Sequence, residues 1–234
     1  MQSVATRTRE TADPACSPNV RVTRSLLGYG VIAGPIYVVS VLAQGLTRSG
    51  FDLLRDDASL LSNGSLGWIQ ILTFVACGVM VVAFAVGVAR ALATGRASTW
   101  GPRLIGLYGL GLIGAGLFVA DPMNGFPPGT AAGRPEVISV HGMLHIVAAG
   151  VGFVGLVAAC LVIAARFART GRRRWALYSR ATGILFLAGF LGIASGSGSP
   201  AVVLGFWVAI LFAWSWLAAL GMFLYREVSE GHEI

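Results

Sequence analysis

Lysine is absent from this 234-residue chain, and all 17 basic residues are arginine. Charge of either sign is scarce: 12% of residues are charged, about half the share of an ordinary soluble domain. Ten residues are acidic and three are histidine. Cysteine is equally thin, with only Cys16, Cys77 and Cys160. An odd count, two of them within apolar runs, excludes a disulfide framework, and the lack of any CxxC pair argues against a thiolate zinc site. Apolar surface takes the place of charge, at 56% hydrophobic residues. That composition excludes a soluble globular domain, a disordered chain and a nucleic-acid-binding domain. The net charge of +7 does not point to nucleic acid, because the arginines fall in short segments between apolar runs, where they orient a membrane protein. Arginine without lysine also points to a GC-rich, bacterial genome.

A membrane-crossing helix needs about 20 apolar residues. Uncharged runs occur at 25–47, 58–89 (its membrane part starting near Leu66), 104–120 and 137–165. A further uncharged stretch, 181–225, is roughly twice too long for one crossing at about 1.5 Å per residue. It must turn back, and Gly196-Ser197-Gly198-Ser199-Pro200 supplies the turn. The expected fold class is therefore all-α, a polytopic bundle of six transmembrane helices. Residues 1–24 form a polar, disordered cytoplasmic tail, 25–225 the membrane domain, and 226–234 a short cytoplasmic tail. With both termini inside, 14 of the 17 arginines lie on the inner side. The inner segments then net +9 and the outer loops −2, which predicts an N-in/C-in protein of the cytoplasmic membrane.

Glycine is abundant, at 32 residues. Gly30 with Gly34, and Gly192 with Gly196, form GxxxG pairs, and 104–120 carries five glycines. Small residues let helices approach closely in lipid. Such faces fit a tight monomeric bundle or a homodimer.

The outer side holds the polar chemistry. In the first outer loop Phe51, Leu54, Ala58 and Leu61 recur at helical spacing, which predicts a short interfacial helix with Asp52, Arg55, Asp56 and Ser59 on its other face. Asp57 reads as a solvated loop residue. In the second outer loop Asp121 ends an uncharged run, and four prolines stiffen the residues after it. His141 and His145 lie four residues apart, on one helix face. Ionisable groups inside a span are functional-site candidates. Asp52, Asp56, Asp121, His141 and His145 are thus expected to line an outer-face pocket. Three roles are open to the histidines: tying down the loop, proton transfer, or binding a divalent metal such as zinc with Asp121 completing the shell. No Glu stands after the first His as in HExxH.

With these residues laid out, the chain resembles a membrane-protein family of bacteria and archaea, domain of unknown function family 998. The matching features are Gly34-Pro35, Arg48-x-Gly50-Phe51-Asp52 leading to Ser59-Leu60-Leu61, and Gly67-Trp68-Ile69-Gln70. Asp121-Pro122-x-x-Gly125-Phe126-Pro127 and His141-Gly142-x-x-His145 come next in order. The resemblance covers about residues 26–225 and implies six spans, with no activity to carry over. A looser similarity, to seven-span metal hydrolases of the alkaline ceramidase type, departs by one span and one histidine. Three functions are expected from these residues. The first is a protein binding a membrane lipid, an apolar small molecule or a membrane partner. The second is an intramembrane enzyme, either a metal-assisted hydrolase or a cyclase or isomerase with Asp121 as general acid. The third, a transporter, has no midplane charge to support it.

Overall fold

The computed structural model describes residues 17–230. The polar tail expected over 1–24 lies mostly outside these residues, as does His232. Six α-helices account for most of the described chain: α1 (Pro18–Thr47), α2 (Gly67–Ala91), α3 (Arg96–Leu117), α4 (Val140–Arg169), α5 (Arg173–Ala194) and α6 (Pro200–Ser229). No strand occurs among the described residues. Five of the helices, all except α3, are long and apolar enough to cross a membrane.

The helix starts have local causes. The Ser17 and Ser199 hydroxyls accept the Val20 and Val202 backbone N–H groups, each with proline at the first helical position, where its missing N–H costs nothing. Ser139 caps α4 by accepting from Gly142 N–H. Arginines occupy the last turns of α2, α4 and α6, where a cation complements the carbonyl end of the helix. The expected turn after α5 is present, with Gly196 at φ +86°, a conformation that suits glycine.

Each helix packs on its neighbours in sequence, and α6 closes on α1, so the six helices form a ring. The 48–66, 118–139 and 195–199 connections share one end, called here the loop end. The Trp207 indole donates to the Leu53 carbonyl at 3.0 Å, and Asn124 Nδ2 donates to Asp56. At the opposite end Arg24 donates to the Tyr225 hydroxyl, Arg90 to Thr23 and Arg172 to Glu227.

Glycine sets how closely the ring closes. A Cβ on Gly78 would sit 2.7 Å from the Gly109 carbonyl oxygen, and one on Gly111 would sit 2.6 Å from Gly152 Cα. Helix α3 therefore meets α2 and α4 backbone to backbone. Both GxxxG pairs are used inside the chain: Gly30 against Phe84, Gly34 against Trp214, Gly192 against Val202 and Gly196 against Arg134.

One local expectation is corrected. Residues 51–61 do not form an interfacial helix. A turn leads into a 3₁₀ segment, Ala58–Ser62, in which Ala58, Leu60 and Leu61 are buried. Asp56 accepts the Asp52 N–H at 2.8 Å, which folds the loop back before a helical turn can propagate. The segment plugs the loop end of the ring.

Candidate functional site

The ring encloses a cavity of about 380 Å³, the size of a small-ligand site, lined by all six helices and by two loop-end connections. Its deep wall is aromatic, with Tyr37 from α1, Tyr108 from α3, Phe153 from α4, Phe186 from α5, and Phe206 and Trp214 from α6. Small residues of α3 and α4, including Gly111, Ala115 and Gly152, hollow out the facing wall. The polar groups gather at the loop end: Asp57, Ser59, Asp121, Arg134 and His145.

Asp121 lies over the first turn of α4. Its Oδ2 accepts the Ser139 N–H at 2.9 Å, and a Cβ on Gly142 would overlap that oxygen, so only glycine admits the carboxylate. The helix start and the carboxylate stabilise each other. His145 is buried, and its Nδ1 lies 3.0 Å from the Ala115 carbonyl and 2.7 Å from that of Phe118. Two carbonyl partners assign the proton to Nδ1, leaving Nε2 as a lone-pair acceptor at the cavity wall. His141 is exposed and packs edge-on against Phe118.

The three acidic residues of the first loop part company. Asp52 is exposed and accepts the Leu54 N–H. Asp56 is fully buried and accepts four hydrogen bonds, from Asp52 N–H, Arg55 Nε and Nη2, and Asn124 Nδ2. It holds the two loops together and does not line the cavity. Asp57 does line it. Burial, then repulsion from Asp56, push its carboxyl up to about 6, with Arg134 opposing.

Of the five carboxylate and imidazole candidates in the sequence, Asp121 and His145 line the cavity, whereas Asp52, Asp56 and His141 do not. Among the described residues, no three His, Cys, Asp or Glu side chains converge in a group that could hold a metal. Of the residues expected to bind zinc, Asp121 and His145 line the cavity, whereas exposed His141 does not. Sequence reasoning missed Asp57, Arg134 and the aromatic wall. The available signal was Tyr37, Tyr108 and Trp214, polar-tipped aromatics in the middle of otherwise apolar runs.

The cavity reaches the side of the ring. Ile146 of α4 lines it and is 58% exposed, and Ile138 just before α4 lines it at 52% exposure. Ile193 and Ala194 at the end of α5 line the same space. Deeper down, Phe153 closes the gap between α4 and α5, edge-on to Phe186 and Phe190. The opening therefore lies between the loop-end halves of α4 and α5, on a flank of exposed apolar side chains.

Fold and site together define a multi-pass membrane protein built as a ring of helices around a cavity of ligand size. The chain belongs to the family described as Protein of unknown function (DUF998), whose model matches residues 31–222. No curated protein and no solved structure matches it.

Proposed function

We propose that this protein crosses the cytoplasmic membrane six times, with both termini inside, and binds a lipid-like molecule in its central cavity. α3 counts as the sixth span because it stands in the ring between α2 and α4 and matches α5 in length, at 22 residues. Its lower hydropathy comes from glycine and from Arg96 and Arg103 at its start. The orientation rests on the arginine bias, since the three arginines of the outer side, Arg48, Arg55 and Arg134, all belong to loop-end connections.

The observation that carries the binding reading is the cavity itself: aromatic in depth, polar at the loop end and open sideways between α4 and α5. An amphiphile would enter from the outer leaflet with its chain against the aromatic wall and its polar group near Asp57, Arg134 and His145. The test is photocrosslinking in native membranes with a clickable, diazirine-bearing fatty alcohol. The label should map to peptides of α4, α5 and α6 that line the cavity, and excess unlabelled alcohol should compete it away. Label spread evenly over outward-facing residues would overturn the reading.

One observation favours a second reading, that of an intramembrane acid catalyst. Asp57 presents a carboxyl held near 6 to an apolar, aromatic cavity. In that case Asp57→Asn would stop turnover of the bound molecule while leaving its binding intact.

A further inference from the structure

The deep end of the cavity contains polar atoms that the protein does not satisfy. Tyr37, Tyr108 and Trp214 are at most 5% exposed. Trp214 packs against both tyrosines, with ring centroids 5.1 Å from Tyr37 and 6.0 Å from Tyr108. All three line the cavity. Neither tyrosine hydroxyl makes a hydrogen bond among the described residues, and the Trp214 indole N–H is buried without a partner. Three polar aromatics elsewhere in the bundle find partners. Trp216 donates to Ser179, Trp207 to Leu53, and Tyr178 pairs with Ser215. A buried donor left unpaired loses its water without recovering a hydrogen bond, and so destabilises the fold. One such donor with two unpaired hydroxyls beside it, against a space of ligand size, marks a place where something else accepts them.

Position and surroundings limit what that is. Tyr37 lies ten residues from the end of α1, roughly 15 Å into the helix. No cationic side chain lines this deep end, so a carboxylate or phosphate would remain uncompensated there. A neutral oxygen with two lone pairs and no proton of its own suits paired O–H donors best.

Resting on the reading of the cavity as a lipid-like ligand site, we propose that Tyr37 and Tyr108 form a carbonyl-recognition site at its deep end. The ligand class is an apolar ketone or ester, inserted with its carbonyl oxygen on the two phenol hydroxyls. Trp214 stacks beside that oxygen and supplies a third donor within reach of a small side-chain rotation. This end selects among apolar molecules, whereas the loop end selects for a polar tail.

The test uses farnesylacetone, a long apolar ketone, and the deoxygenated hydrocarbon of the same skeleton, bound to the purified full chain in detergent. The ketone should bind about tenfold more tightly than the hydrocarbon, the scale of a satisfied buried donor. Its carbonyl stretch, read by infrared difference spectroscopy, should shift down on binding. In the Tyr37→Phe/Tyr108→Phe variant the preference and the shift should both vanish while hydrocarbon binding persists, which also shows that the variant is folded. Equal binding of ketone and hydrocarbon with no carbonyl shift would overturn the recognition site and leave the cavity reading standing. Persistence of the preference in the double variant would also overturn it. Binding of neither probe would overturn the cavity reading and this inference with it.

Discussion

Asp56 and Asp57 are neighbours in sequence with opposite fates. Asp56 gathers two loops, and its carboxylate is salt-bridged to Arg55 at 2.9 Å. Asp56→Ala would strand the Arg55 guanidinium, the Asn124 amide and the Asp52 N–H together. It should lower stability in detergent by about 3 kcal/mol, read as an earlier thermal midpoint. Asp57 carries no such support. Its folded pKa of about 6 lies above the ordinary value of 3.8, so the folded state disfavours the ionised form. The penalty is present above pH 6 and is relieved as pH falls from 6 towards 4. Wild type should therefore gain up to about 2 kcal/mol of stability over that interval, after allowance for solvent screening. Asp57→Asn should flatten the profile and be the more stable protein at pH 7. A profile equally steep in both proteins would place the titration elsewhere. At this scale the sequence was only half legible. It pointed to the outer loops, and of its five candidates Asp121 and His145 line the cavity whereas Asp52, Asp56 and His141 do not. It could not say which of three clustered aspartates turns inward, because that depends on Asn124, sixty-eight positions away, reaching Asp56.

At the scale of helices, the sequence was far more telling. Charge-free runs and the Gly196–Pro200 segment located all six helices, because hydrophobic length is a local property. Gln70, Thr73 and Ser215, polar side chains within apolar runs, pair across helices with Gln44, Ser40 and Tyr178. The partner of each was hidden, since ring closure brings together residues far apart in sequence. Glycine-to-alanine substitutions separate packing from propensity. Gly78→Ala and Gly109→Ala each push a methyl onto the facing backbone, within 2.8 Å of a carbonyl oxygen, and should each cost about 2 kcal/mol. Gly28→Ala and Gly205→Ala meet nothing within 4 Å and should be neutral or stabilising by up to about 1 kcal/mol. Thermal melts of the four variants in one detergent decide it, and equal losses in all four would contradict the close-packed ring.

For the whole molecule, orientation and contents are the two claims. Cys77 and Cys160 are buried, so with Cys16 replaced by serine single cysteines introduced at the surface can be read. A membrane-impermeant maleimide should label Ser197→Cys in intact spheroplasts and Thr94→Cys only after permeabilisation. The reverse pattern would invert the topology. The sequence pointed to a polar pocket at the outer face but not to the aromatic cavity beneath it. The walls of that cavity come from all six helices, and its volume arises where glycine and alanine of α3 and α4 face phenylalanine of α5 and α6.

The most direct test of that cavity is native mass spectrometry of the protein purified in mild detergent, beside Ala149→Trp, whose indole would fill the space at the α4 wall. Wild type should carry one tightly held lipid-like adduct per chain, absent from Ala149→Trp while its helical content and thermal midpoint are unchanged. An adduct retained by the folded Ala149→Trp protein, or no adduct on wild type after supplementation with its own membrane extract, would contradict the account.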